Sequence, residues 1–432
     1  MSRVVVVGGG YGGLATAARL AKLGHETTLL ERSATLGGAL SSVQADGFTW
    51  DAGPMSTLLP AVIRDLFHKT GRPLEKELDL VPLEAVREHR FEDGSRLSLP
   101  GGSRAAQIAA VDELGAGLGA QWAVYVDSYA EPWDLLRRDH LERAWHPDHA
   151  SRELTRMLTG REMLAKRLRG AFRDERLRLV AGHPFQADGH DLRNVPAWQG
   201  VTAYVEQRFG AWTVVGGMAG LTEALVRRLS TRGVAVRTGV EVRDIVVRGG
   251  RAVAVATEAG EVEADAVVCA VDPRRLPELA GHVRSTMPAI PPVVCHLGLE
   301  GEVPHLPPHV VLHGDPLLMV HIGSAPEGQH AWTVLGRGRL AEDVVVALAR
   351  AGIDIRRRVV ARVDRSPRDL VDAWGGSPLG VLWQGRATVG QRLGPTTPVT
   401  GVYAAGAHAV PGSGLPYVGL SAALVAQAIG PA

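Results

Sequence analysis

The sequence predicts an α/β fold organised around a parallel sheet, and three observations predict it. A run of valines, Val4 to Val7, leads into Gly8-Gly9-Gly10-Tyr11-Gly12-Gly13 and then into an apolar helix pattern. A second strand pattern, Glu26 to Leu30, ends on an acid, Glu31. Near the other end the same grammar returns. Val402-Tyr403-Ala404-Ala405 reads as a buried strand, Gly406, Gly412 and Gly414 punctuate a loop, and a helix of small residues starts at about Pro416.

Each element has a physical reason. Consecutive valines suit a strand covered on both faces. Gly8 permits a tight turn, Gly10 lets the backbone approach a pyrophosphate, and Gly13 lets the helix pack close to the strand. That helix, Leu14 to Leu23, stops at Gly24 and offers its free N–H groups and positive dipole end to phosphates. A carboxylate at the end of the second strand accepts hydrogen bonds from ribose hydroxyls and repels a 2′-phosphate. Strand, glycines, helix, strand and terminal acid in this order predict a Rossmann-type dinucleotide-binding domain.

The continuation separates the dinucleotides. Glu31-Arg32 runs on to a glycine pair, Gly37-Gly38, and Gly47-Phe48-Thr49-Trp50-Asp51-Ala52-Gly53-Pro54 follows. Val214-Val215-Gly216-Gly217-Met218 precedes a helix pattern at Leu221 to Leu229 and a strand pair between Val234 and Val247. Ala264 to Pro273 reads as a returning strand, and the closing loop holds Pro411-Gly412-Ser413-Gly414. As a set these segments resemble the FAD-dependent amine oxidase superfamily, and within it the bacterial phytoene desaturase branch. The resemblance covers the cofactor half of the chain. It implies FAD held without a covalent link by Gly8, Gly10, Tyr11, Gly12, Gly13, Glu31, Arg32, Gly37, Gly38, Ala39, Gly53, Pro54, Met55, Val242, Ala270, Gly406, Gly414 and Leu415. The flavin-proximal Asp51–Pro54 stretch has no Cys or His to form such a link. Two departures from the family pattern stand out. Ala39 replaces an arginine after the glycine pair, and Val410 precedes the Pro-Gly, with His408 two residues earlier.

The cofactor domain is discontinuous, comprising residues 1–70, 210–285 and 375–432. Residues 71–209 and 286–374 form the substrate domain, mostly helical over about 100–209. Strand patterns at Val293 to Leu297, Val310 to Leu312, Leu317 to Ile322 and Ala331 to Leu335, with a helix at Ala341 to Ala351, resemble the family's mixed sheet over the flavin.

Composition narrows the partners. A net charge of +1 with 22% charged residues gives no bulk attraction to nucleic acid. The two cysteines form no disulfide framework and no zinc spacing, and Cys269 sits in an apolar strand as a small buried hydrophobe. A first strand at Arg3 leaves no room for a signal peptide, and no apolar run approaches the roughly 18 residues of a spanning helix. These features predict a cytoplasmic location. His282, His296, His305, His309, His313, His321 and His330 lack ligand-like spacing, so no metal site is expected. Leu118, Trp122, Tyr125, Tyr129 and Trp133 fall on one helical face, as core, as the lining of an apolar tunnel, or as a membrane-interface contact. Lys166, Arg169, Arg173 and Arg176 also fall at helical spacing, as a solvated face or as a peripheral contact with anionic lipid headgroups.

The desaturase resemblance implies hydride transfer from carbon to flavin N5, with the protein supplying placement and exclusion of water. The substrate is then an apolar isoprenoid or natural-product intermediate that loses hydrogen across a C–C bond. Tyr204, His183, Asp188 and His408 are the candidates for the proton acceptor. Amine oxidases of the superfamily carry Gly-Glu where this chain has Gly406-Ala407, which favours the desaturase branch. Another flavin oxidase, a saturase or an amine oxidase is the alternative, as is a non-enzymatic prenyl-binding escort protein.

Overall fold

The computed structural model describes residues 1–144 and 150–432. At its centre is a five-stranded sheet in the order Val402–Ala404, Ala266–Cys269, Arg3–Val7, Glu26–Glu31, Ala235–Thr238, every neighbouring pair parallel. Alternation along the first strand explains the valine run. Val4 and Val6 pack with the helices Tyr11–Lys22, Pro60–Thr70, Ala219–Thr231 and Leu415–Ile429. Val5 and Val7 face the opposite way, onto the antiparallel strands Val242–Arg248 and Arg251–Thr257 and the short helix Pro277–Ala280. Covering on both faces makes hydrophobic burial, at roughly 25 cal/mol per Å², favourable at every position of the strand. Cys269 belongs to this core, and burial raises its thiol pKa to about 12.

Over the carboxyl ends of these strands lies a seven-stranded sheet. Its order is Val359–Arg365, Val293–Glu300, Gln329–Arg337, Leu317–Gly323, His309–Leu312, Ala85–Arg90, Arg96–Pro100. All neighbours are antiparallel except His309–Leu312 with Ala85–Arg90. Three of these strands are absent from the sequence reading. Ala85–Arg90 reads Ala-Val-Arg-Glu-His-Arg, with four polar residues in a row, so it carries no alternating strand signal. The outer face packs on the helix Val344–Arg350.

The helical segment forms its own core, and there the aromatic stripe resolves. Trp122, Tyr125, Tyr129 and Trp133 are all buried, Trp122 donates to Gln107 Oε1 at 2.8 Å, and Tyr129 donates to the Ala197 carbonyl at 2.8 Å. None of the four lines the cavity between the two sheets. The basic face breaks as well. The helix Leu164–Ala171 ends at extended Phe172, and Arg176 opens the next helix, paired with Asp174 at 2.7 Å and half-buried. Lys166, Arg169 and Arg173 stay exposed. Among the described residues no helix is long and apolar enough to cross a membrane.

Candidate active site

Between the two sheets lies a cavity of about 690 Å³. One end is built by glycine turns. Gly8 has φ +105°, and a Cβ there would stand 2.6 Å from Val271 Cγ1. A Cβ on Gly10 would find its nearest neighbour, the Gly37 carbonyl, 4.0 Å away, so this backbone faces open space in which a phosphate fits. Gly10 also begins the helix Tyr11–Lys22 without a side-chain cap, leaving first-turn N–H groups for an anion. The second glycine pair zips onto the first: Gly37 N–H donates to the Gly9 carbonyl at 2.9 Å. The Glu31 carboxylate is held by N–H donors from Gly9 and Ser33, each at 2.7 Å, and still lines the cavity. Its remaining lone pairs face where a ribose would lie. Asp51 joins two distant motifs by accepting from Met218 and Ala219 N–H at 3.0 Å each. Burial raises its pKa, and those two bonds oppose the shift.

All the positions expected at the cofactor line this cavity except Gly13, Arg32 and Val242. Gly13 works one layer back: a Cβ there would sit 1.9 Å from the Gly8 carbonyl, so it sets the helix against the strand. The Arg32 guanidinium points away from the cavity, to the carbonyls of Asp372 and Ala373. Val242 has its side chain in the core at the start of its strand. A second cleft of about 680 Å³ lies beside it, lined by Arg32, Ser33, Gly239, Val240 and Glu241 among others. It shares Ser33 and Ala373 with the main cavity. Val240 belongs to the segment read from the sequence between Val234 and Val247, and its N–H donates to the Glu31 carbonyl at 2.9 Å.

The candidate proton acceptors separate. Tyr204 packs into the helical core and does not reach the cavity. His408 lies on the wall near Gly406, but its Nε2 donates to the Ser377 carbonyl at 2.9 Å, with Nδ1 3.8 Å from Asp272. Burial holds it below the ordinary imidazole range. His183 and Asp188 both line the cavity. Burial drives His183 well down, while it raises Asp188 to about 6 against the opposing pull of Arg337.

Arg87 and Glu206, which sequence analysis did not single out, and His309 and His321, which it named only as lacking metal-ligand spacing, complete the wall. Arg87 gives both terminal nitrogens to Glu206, and both residues line the wall. His309 Nδ1 and His321 Nδ1 lie 2.6 Å apart. The aromatic side chains on the wall, apart from histidines, are Tyr11 and Trp374, so the expected Trp/Tyr tunnel is replaced by aliphatic residues such as Val311, Met319 and Leu335.

Residues 11–430 match the family described as flavin containing amine oxidoreductase. Among characterised relatives, the zeta-carotene-forming phytoene desaturase of Myxococcus xanthus is 35% identical over 62% of this chain and 53% of its own length. This chain thus aligns with about half of that protein. The hydroxyneurosporene desaturase of Cereibacter sphaeroides is 30% identical, over 99% of this chain and 97% of that one. Among solved structures, putrescine oxidase bound to putrescine superposes with a TM-score of 0.68 at 18% identity, covering 99% of this chain and 98% of that one. An oxidoreductase from Methanosarcina mazei gives a TM-score of 0.67 at 18% identity, covering 98% and 100%. These two likenesses establish the fold. Family match, full-length relative and glycine cradle agree: the chain belongs to the flavin-containing amine oxidoreductases, an FAD-dependent enzyme family.

Proposed function

We propose that this enzyme desaturates a C–C bond of a long, mostly apolar isoprenoid. The observation that carries this reading over amine oxidation is the state of the wall's acids. Glu31 is bonded to backbone N–H groups, Glu206 to Arg87, and Asp272 to Arg274 at 2.9 Å. Asp188 is a weakened acid near Arg337. Among the described wall carboxylates only Asp188 lacks a hydrogen-bonded partner, and the charge of Arg337 near it opposes an ammonium there. The named desaturase relatives, which act on carotenoid-type chains by their names, support the same reading.

In this reading the Gly8–Gly12 turn would hold the diphosphate, Glu31 a ribose, and Ser33, Gly239 and Val240 the adenine. Bound FAD supplies a hydride acceptor at N5. The chain's own residues do the rest. Gly406, Gly414 and Leu415 shape the loop beside the ring, and Val311, Met319 and Leu335 exclude water around the hydrocarbon. Asp188 takes the proton released from the adjacent carbon, since a carboxyl of pKa about 6 is a stronger base than an ordinary one. Anaerobic mixing with acyclic carotenoid precursors should bleach the flavin, and simple primary amines should not. Bleaching by amines alone would overturn the proposal.

The exposed Lys166, Arg169 and Arg173 are where such an enzyme would meet anionic lipid that carries its substrate. Replacing all three with Gln should weaken co-sedimentation with phosphatidylglycerol vesicles. Equal sedimentation of variant and wild type would remove the lipid contact.

A further inference from the structure

The substrate end of the cavity is organised in rows, because side chains two apart on a strand share a face. His309 opposes His321, His321 opposes Thr333, and Thr333 opposes His296, whose Nδ1 lies 3.0 Å from Thr333 Oγ1. Val310 opposes Glu88 in the parallel pair, so Arg87 stands beside His309 at the end of this row. The next row on the same face is apolar: Val311, Met319, Leu335 and Val294 oppose one another in turn. Arg87, His309, His321 and Thr333 line the cavity, as do all four apolar residues. A polar stripe and a greasy stripe thus run side by side across one wall.

The polar stripe has hydrogen-bonding capacity to spare. The two Nδ1 atoms of the histidine pair bond to each other, so one ring keeps an Nε2 lone pair and the other an Nε2–H. Neither Nε2 has a hydrogen-bond partner among the described residues. Near them His183, 6% exposed and on the wall, has an Nδ1 with no partner. A pure hydrocarbon against this stripe would leave these groups dry and unbonded, which buried polar groups resist. The stripe carries little net charge, because Glu206 neutralises Arg87 and burial keeps both imidazoles deprotonated.

We propose that the cavity reads an uncharged oxygen function, a hydroxyl or a carbonyl, on an otherwise hydrocarbon substrate. The oxygen sits on the His309–His321 pair beside Arg87, and the chain lies along Val311, Met319 and Leu335. This rests on the isoprenoid reading above and narrows it to an oxygenated isoprenoid. A reaction that installs oxygen on the chain, or one that leaves it there, must therefore precede this enzyme. A carboxylate is disfavoured because, among the described residues lining the cavity, the stripe's one cation, Arg87, is already paired with Glu206.

The test compares phytol with phytene, the same branched chain with and without its terminal hydroxyl. Both are titrated from cyclodextrin into the FAD-loaded protein and followed by the shift in the flavin's visible spectrum. Wild type should bind phytol at least about tenfold more tightly, since a site built to hydrogen-bond rejects the analogue that lacks the group. His309→Phe/His321→Phe should lose that preference while keeping FAD, and His321→Gln, which retains a hydrogen-bonding group, should preserve it. Phytene binding as tightly as phytol, a preference that survives in the double Phe variant, or binding of neither probe would overturn the inference. Turnover is scored separately. Preference for phytol without oxidation of any isoprenoid would support the oxygen site and remove the desaturase reading. Desaturation of hydrocarbons without any preference would do the reverse.

Discussion

Gly12 and Gly406 touch across nearly the whole length of the chain: a Cβ on Gly12 would lie 2.9 Å from the Gly406 Cα and 3.2 Å from Val418 Cγ1. The opening turn and the closing loop meet there, with no room for a side chain. Gly12→Ala should therefore force a backbone apart, at an overpacking cost of about 1–3 kcal/mol. It should lower both the melting temperature and the FAD content. Gly10→Ala meets open space instead, so it should spare the melting temperature of the apoprotein and still lower FAD retention at least about tenfold. Identical behaviour of the two variants in apoprotein melts would contradict this geometry.

Glu31 is pinned by two backbone donors before any ligand arrives. Replacing it with Ala removes the acceptor for ribose hydroxyls, and hydrogen bonds to a charged group are worth about 1.5–3 kcal/mol each. FAD occupancy should fall at least about tenfold, read by the absorbance ratio of the purified protein. A Glu31→Ala protein that purifies fully yellow and resists dialysis would refute the ribose assignment.

Both ends of the chain were legible in the sequence because glycine turns and a strand-terminal acid are local patterns. The helix after Gly414 and the acid at Glu31 lie where those patterns put them. What was not legible depends on register. Arg87, His309, His321 and Thr333 come from four strands, and nothing in their spacing says that they share a row. The same lack of register hid the strand Ala85–Arg90, whose Arg87 lines the cavity while His89 is buried beside Phe91 and His313. The aromatic stripe was legible as a helix face, and of its readings the packing bears out the core. Its spacing identified a helix face correctly, but spacing cannot distinguish a face packed on other helices from one lining a cavity. Arg32 lines the neighbouring cleft rather than the main cavity, and its reach to the carbonyls of Asp372 and Ala373 depends on a segment more than three hundred residues away.

The FAD should be releasable. Cys269 and Cys295 are buried, and neither lines the cavity. Acid precipitation should leave the pellet colourless and the supernatant yellow. Colour kept in the pellet would show a covalent link.

Asp188 makes stability depend on pH. Its folded pKa of about 6 lies above the ordinary 3.8, so the folded protein holds a proton that the unfolded chain releases between pH 4 and 6. Stability is therefore lost as the pH rises through that window, by at most about 3 kcal/mol above it. Asp188→Asn should raise the apoprotein melting temperature at pH 7.5, with a smaller gain at pH 4.5. An equal gain at both, or a loss at pH 7.5, would contradict the burial argument. Flavin reduction in wild type should rise with pH through about 6, as a base must be ionised to act, and the variant should lose that limb.

In the proposed desaturation a C–H bond of an apolar chain breaks as hydride leaves carbon. This is read by the anaerobic rate of flavin bleaching with an acyclic isoprenoid carrying deuterium at the carbon to be oxidised, compared with its undeuterated twin. Deuterium should slow that rate several fold at saturating substrate. No isotope effect on a reduction that does proceed, or bleaching by primary amines with none by any isoprenoid, would contradict it.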